Sequence, residues 1–87
     1  MNSMEQAHEA VALYKKIRPL LAGVDPGIQG ATLGQMVAMF IAGHRPELRR
    51  TQYKMMCDLI RTLVPSEVEA MIEMGVVGPE WRGGSLQ

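Results

Sequence analysis

The sequence predicts an all-α protein, a small helical bundle of three main helices and a short fourth, with an apolar second helix at its centre. Apolar side chains recur at the helical spacing of three and four residues, and glycines and prolines divide the chain into four such stretches. No run alternates with the two-residue period of a half-buried strand. At 87 residues and 47% hydrophobic composition, we expect one helical domain over residues 1–77, followed by an irregular tail over residues 78–87.

The first helix is predicted to begin at Ser3, because Gln6 follows three residues later in the spacing of a capping box. Its apolar face comprises Ala7, Ala10, Val11, Tyr14, Ile17 and Leu21. An interior proline removes a backbone hydrogen bond and clashes with the preceding turn. We therefore expect Pro19 to kink or end this helix near Ile17 or Arg18.

The second helix is predicted to begin at Asp25 and Pro26, which suit the N-cap and the first helical position. Gly27 and Gly30 weaken its first turns, so a start as late as Thr32 is the alternative. From Pro26 to Gly43 the chain carries no charged residue. The polar side chains within the helix are Gln29, Thr32 and Gln35. Because a helix that is apolar all round has to be covered on every side, we expect this helix to be central and buried.

The third helix is predicted to run from Pro46 and Glu47, after a stop at Gly43, to Pro65. Its apolar face comprises Leu48, Met55, Met56, Leu59, Ile60 and Leu63. The basic residues Arg50, Lys54 and Arg61 line up on the opposite side.

A short fourth helix is predicted from Ser66 to Gly75, because Ser66 and Glu69 repeat the capping-box spacing and Gly75 is a typical helix stop. Its inward residues would be Val68, Met71 and Ile72.

Small residues recur every four positions along the second helix, at Gly30, Gly34, Ala38 and Ala42. Such a strip lets another helix approach closely, and that helix belongs either to the same chain or to a second one. A chain of this size buries only about 60% of its unfolded surface. The other helices therefore provide too little surface to cover an apolar central helix. We expect the bundle to be completed by homodimerisation.

The charge distribution also favours a dimer. Residues 15–61 carry a net charge of +5, while residues 1–14 carry −2 and residues 62–87 carry −3. A basic middle and acidic ends are self-complementary across a two-fold axis.

Few residues suit catalysis or metal binding, and we expect neither an enzyme nor a cofactor. Cys57 is the only cysteine, which excludes a disulfide scaffold; nearby cations leave open whether its thiol is reactive or inert. Glu5 and His8 have the Glu-x-x-His spacing of di-metal bundles, but that motif occurs once here and the sites need it twice. We expect His44 to be a turn residue or a helix cap.

The longest apolar run, from Met36 to Ala42, is far shorter than the roughly 20 residues that span a bilayer. The N-terminus, which carries Glu5 and Glu9, does not have the pattern of a signal peptide. We therefore expect a cytoplasmic protein that is not embedded in a membrane.

The methionine content has two interpretations. Met36, Met55, Met56 and Met71 suit gaps in the core, whereas Met39 and Met74 lie off the main apolar faces and suit binding of another protein. Eight methionines stand in a chain with four aromatic residues, and their flexible side chains suit adaptable binding surfaces. We expect a non-enzymatic interaction module, a small regulator or adaptor, whose basic third helix steers an acidic partner. The candidate partner-binding residues are Met39, Arg49, Arg50, Lys54, Arg61, Met74 and Trp81.

A DNA-binding dimer is the alternative interpretation. The short turn at Gly43 and the residues Arg45, Arg49, Arg50 and Gln52 resemble a helix-turn-helix with a basic recognition helix. The balanced charge and a pI of about 6.7 weigh against this interpretation.

Overall fold

The computed structural model describes residues 1–84, and within that range the chain is all-helical with no strand. Its three helices are α1 (Ser3–Leu21), α2 (Pro26–Ala42) and α3 (Pro46–Glu73), and a short 3₁₀ turn follows at Pro79–Trp81. The predicted all-α class is confirmed. Residues 85–87 of the predicted tail lie outside the described range.

Helix α1 is capped by Asn2, whose side-chain Oδ1 accepts a hydrogen bond from the backbone N–H of Glu5 at 2.8 Å. Asn2 has extended backbone angles, while Ser3 is already helical. The predicted cap at Ser3 is therefore wrong by one residue. Asn and Ser are both favourable N-cap residues, so the residue types alone do not show which of these two adjacent positions is the cap.

Helix α2 begins as predicted. The side-chain Oδ1 of Asp25 accepts hydrogen bonds from the backbone N–H groups of Gly27 at 2.9 Å and Ile28 at 3.3 Å. Pro26 occupies the first helical position, where its missing N–H costs nothing. The predicted start of α3 at Pro46 is confirmed as well.

Helix α1 continues through Pro19 to Leu21, so of the two predicted outcomes the stop near Ile17 or Arg18 is wrong, while a kink there stays a prediction. Pro19 lies in the last turn of the helix. It has no N–H to donate to the carbonyl of Lys15, but because the helix ends two residues later, few backbone hydrogen bonds are affected.

Helix α3 also continues through its proline, at Pro65, and runs for 28 residues to Glu73. The predicted separate helix from Ser66 is therefore wrong. On a wheel of roughly 100° per residue, Leu59 and Val68 lie on opposite sides of α3. The apolar residues of α3 lie on one side of the helix before Pro65 and on the opposite side after it. In the sequence, this shift of the apolar positions resembles the start of a new helix.

The end of α3 is closed by Gly75, which has a positive φ of 74°. Its backbone N–H donates to the carbonyl of Ile72 at 3.0 Å, and that of Val76 donates to the carbonyl of Met71 at 2.9 Å. This pair of bonds is the Schellman motif, in which glycine adopts the left-handed conformation without strain.

Contacts between residues cluster into two units, one over Met1–Ala38 and one from Met39 onward. None of the described side chains in either unit is buried. Leu33, Met36 and Met39 of α2 are 45%, 43% and 68% exposed, so the second helix is not the buried element that its composition predicts. The prediction of one domain over residues 1–77 stays a prediction.

Within the first unit, one side-chain hydrogen bond joins α2 to the end of α1. The Nε2 of Gln29 donates to the carbonyl oxygen of Leu21 at 2.6 Å. Ile17 and Leu33 line a cavity of about 370 Å³ beside this bond. Gln29, one of the few polar side chains of α2, thus stabilises the short turn between the two helices.

Within the second unit, the 3₁₀ turn contacts α3. Val68, Met71 and Ile72 near the end of α3 are half-buried. No helix in the described part of the chain is both long enough and apolar enough to cross a membrane.

Candidate interaction surface

An open groove of about 500 Å³ lies along α3 in the second unit. We call it the α3 groove, and its lining residues are Phe40, Gln52, Met55, Met56, Asp58, Leu59 and Thr62.

The groove follows from the spacing of its residues along α3. Gln52, Met55, Leu59 and Thr62 are three or four positions apart, which places them on one side of a helix. Phe40, at the end of α2, adds an aromatic side chain. The exposed fractions are 58% for Met55, 49% for Leu59 and 47% for Phe40. Apart from the half-buried Met56, the apolar face of α3 predicted from the sequence is exposed among the described residues.

This apolar surface continues beyond the groove along α3. Leu48 and Leu63 lie within roughly 40° of Leu59 on a helical wheel, and they are 45% and 47% exposed. Together with Met55 and Leu59 they form an apolar ridge on the central part of the helix.

The predicted apolar partner-binding residues are exposed but do not line the groove. Met39 is 68% exposed on α2, Met74 is 54% exposed just after α3, and Trp81 is 57% exposed in the 3₁₀ turn. Met55, Met56 and Leu59 of the groove belong to the face of the third helix that the sequence predicts to be apolar. Their spacing identified the face, whereas only the structure shows that the described chain leaves it open.

Arg49, a predicted partner-binding residue, has a structural role. Its Nε donates to the carbonyl oxygen of His44 at 3.0 Å, and its Nη2 donates to that of Ala42 at 3.1 Å. These carbonyls lie at and just beyond the end of α2, where helical acceptors lack backbone partners. Arg49 therefore fastens the turn between α2 and α3.

His44 supports the same turn. Its Nδ1 donates to the carbonyl oxygen of Phe40 at 2.8 Å, and its ring meets the ring of Phe40 edge-on at 4.8 Å between centroids. The expectation that His44 is a turn residue or helix cap is confirmed.

The other basic residues lie away from the groove. Arg50, Lys54 and Arg61 project from the opposite side of α3, within roughly 40° of one another. The Nη1 of Arg61 donates to the Oδ1 of Asp58 at 2.9 Å. The structure therefore separates the basic side of α3 from its apolar side. Binding of DNA by this basic side stays a prediction.

Cys57 lies on that basic side. It is half-buried and free, and it shares a shallow cavity of about 280 Å³ with Tyr53, Lys54, Asp58 and Arg61. A hydrogen bond between the side chains of Tyr53 and Cys57 raises the pKa of the Tyr53 phenol.

Comparison with known proteins adds no relative. No family model, no curated protein and no solved structure matches this chain.

The strip of small residues on α2 has no neighbour at its glycines. A Cβ atom placed on Gly30 or Gly34 would meet nothing within 4 Å in the described part of the chain. Within the unit Met1–Ala38, no other helix packs closely at these two positions. Close packing at Gly30, Gly34, Ala38 and Ala42 against a second chain stays a prediction.

No candidate metal site is found among residues 1–84, where histidine, cysteine and carboxylate side chains nowhere gather in groups of three. His8 is exposed near the start of α1.

Proposed function

We propose that this chain is a non-enzymatic protein-interaction module, a small cytoplasmic regulator or adaptor that binds through the α3 groove. The observation that carries the proposal is the uncovered apolar groove itself. Monomeric proteins that work alone rarely leave a contiguous apolar patch open, and larger patches mark sites of interaction.

The chemistry of the groove supports binding. Met55 and Met56 have unbranched, polarizable side chains that repack around differently shaped surfaces. Among the lining residues Asp58 is ionisable, and its carboxylate is engaged by Arg61. A groove of this composition offers apolar contact, and the polar side chains of Gln52 and Thr62 orient a partner by hydrogen bonding.

The partners that we propose are proteins. A second copy of the chain fits the apolar side of α3, and the basic side with Arg50 and Lys54 favours encounter with an acidic protein. Opposite charges at the rim of an interface raise the rate of association more than the final affinity.

Photo-cross-linking tests this function, with a photoreactive phenylalanine derivative placed at either of two positions of α3. Met55 lines the groove, whereas Tyr53 projects away from it, and both side chains are 58% exposed. Tyr53 is thus a control of matched exposure. In cells that naturally make the protein, we expect irradiation to yield discrete protein adducts from position 55 and at least fivefold less adduct from position 53.

Absence of adducts from position 55 would contradict an interaction role for the groove. Equal adduct yields from both positions would show nonspecific contact and would contradict it as well. Circular dichroism of each purified variant checks that its helix content is unchanged.

A further inference from the structure

We propose that the α3 groove is covered by α3 of a second copy of this chain, packed antiparallel with Leu59 at the two-fold axis. The inference rests on the proposed interaction function and names the partner of the same site. Three properties of α3 support it: the symmetry of its groove side, the match between residue types, and the direction in which its charges are arranged.

The groove side of α3 is symmetric about Leu59. Between Leu48 and Ala70, seven residues of α3 lie within roughly 40° of Leu59 on a wheel of 100° per residue, Leu59 included. In chain order they are Leu48, Gln52, Met55, Leu59, Leu63, Ser66 and Ala70. Each of these residues before Leu59 has a counterpart at the same separation after Leu59, whereas Glu73, the last residue of α3 and also on this side, has none within the helix. Leu59 is also at the middle of α3, which runs from Pro46 to Glu73.

Antiparallel pairing about Leu59 brings matched residue types together. Met55 would face Leu63 of the second copy, and both side chains are apolar and about half exposed in the single chain. Gln52 would face Ser66, which pairs an amide with a hydroxyl.

At each end of the pair, a large side chain would face a small one. Leu48 would lie opposite Ala70 of the second copy, and alternation of large and small residues lets two helices interdigitate at native packing density. The two Leu59 side chains would meet at the axis itself.

The charges of α3 differ between its two halves. Residues 45–61 carry five basic and two acidic side chains, net +3, whereas residues 62–73 carry three acidic and no basic ones, net −3. In an antiparallel pair the acidic second half of one copy lies beside the basic first half of the other, so the two helices are complementary in charge.

One pair of charges fits this arrangement in detail. Arg49 and Glu67 lie on the same edge of the groove side, each roughly 80° from Leu59. The two-fold axis places Arg49 of one copy near Glu67 of the other, twice in the dimer. Two of the five N–H groups of Arg49 are engaged in the turn, so its guanidinium has donors left for a carboxylate.

Single cysteines in the Cys57→Ser background test the orientation. In an antiparallel pair the two copies of residue 59 are close enough for a disulfide, while the two copies of residue 48 are roughly 33 Å apart along the axis. We expect oxidised Leu59→Cys to form a disulfide dimer and Leu48→Cys alone to form none. An equal mixture of Leu48→Cys and Ala70→Cys should form the mixed disulfide. Arg50→Cys, on the opposite side of α3, is the control and should not cross-link.

Sedimentation equilibrium of the unmodified protein provides a measurement free of substitutions. We expect twice the chain mass of 9.6 kDa at tens of micromolar. A monomer mass overturns the inference, since the chain then covers its groove in another way. Self-linked Leu48→Cys also overturns it, because that result requires parallel helices.

A charge exchange tests the predicted ion pair separately from the turn. Arg49→Glu and Glu67→Arg should each weaken self-association severalfold, and an equal mixture of the two variants should recover it. If Arg49→Glu weakened self-association only by disrupting the turn, the Glu67→Arg variant would not restore it. Failure of the mixture to recover self-association therefore contradicts the pairing of Arg49 with Glu67. Arg50→Glu makes the same charge change on the opposite side and should leave the affinity unchanged.

The two proposals fail in different ways. If the chain is a monomer but position 55 still cross-links to another protein, the interaction function stands and the second-copy inference falls. If position 55 yields no adduct of any mass, the interaction function itself falls.

Discussion

Arg82 donates two hydrogen bonds to the carboxylate of Glu69, from Nε to Oε1 at 2.6 Å and from Nη2 to Oε2 at 3.1 Å. The two residues are 13 positions apart, so the pair ties the C-terminal segment to α3. Hydrogen bonding to Arg82 holds the pKa of Glu69 below its ordinary value, and bonding to Glu69 raises the pKa of Arg82. The planar fork of arginine matches a carboxylate in this two-point geometry.

Replacement of Arg82 by Ala should release the segment around Trp81. Trp81 is the only tryptophan of the chain, so its fluorescence anisotropy reports local motion directly. We expect the anisotropy to fall in Arg82→Ala while the helix content stays unchanged. Arg61→Ala removes a different exposed ion pair, with Asp58, and should leave the anisotropy of Trp81 unchanged. A similar fall in both variants would contradict the tie.

Acidification should release the same segment. Because the pKa of Glu69 is lower in the folded chain than its ordinary value of 4.5, the stabilisation is complete above that value and is lost as the pH falls through the lower, folded pKa. We expect the Trp81 anisotropy to decrease below pH 4.5 in the native chain. Glu69→Gln should show low anisotropy with no such transition, and a transition retained in that variant would assign it to another group.

Replacement of Asn2 by Ala should destabilise the start of α1 by about 1 kcal/mol, the usual loss for an N-cap. Ser3→Ala is the matched control, because Ser3 is the first helical residue rather than the cap. Amide hydrogen exchange at Glu5 measures the difference, since its N–H donates to the Asn2 side chain. Faster exchange in Ser3→Ala than in Asn2→Ala would place the cap at Ser3.

Replacement of Pro65 by Ala should stabilise α3 by up to about 3 kcal/mol, because proline in a helix interior costs about that much relative to alanine. The expected readout is a higher midpoint of urea unfolding monitored by circular dichroism. Pro46→Ala is the control, since Pro46 is at the start of α3, where proline is favourable. Equal and small effects of both substitutions would favour two helices separated at Pro65.

Replacement of Arg49 by Ala should loosen the turn between α2 and α3. Two hydrogen bonds to backbone carbonyls are lost, and each contributes about 1 kcal/mol to stability. We expect faster amide exchange at Gly43 and His44, whose N–H groups close the end of α2. Arg50→Ala, with the same loss of charge at a neighbouring exposed residue, should leave this exchange unchanged.

Much of the local structure was predictable from the sequence because its signals act within a few residues. Asp25 and Pro26 start α2, Pro46 starts α3, and the conformation of Gly75 closes α3. Each of these positions satisfies or removes a backbone group at a helix end. The apolar side of α3 was identified for the same reason, since its residues recur with the helical period.

The errors arose where one local signal has two physical outcomes. Proline either ends a helix or is tolerated in it at a cost, and Pro19 and Pro65 are both tolerated. The shift of the apolar positions beyond Pro65 is consistent with a new helix, and equally with one helix whose apolar residues move to its other side. In the folded chain α3 runs unbroken through Pro65, which is the second of these outcomes.

The sequence by itself determined that the chain is helical, where most helices begin, and which side of α3 is apolar, because backbone and side-chain periodicity are local. Only the tertiary structure decided that α3 is one helix, that Arg49 fastens a turn, and that Met55 and Leu59 remain exposed. Burial is a property of what packs against a side chain. A helical period identifies the side that needs cover, but it does not specify which surface covers it.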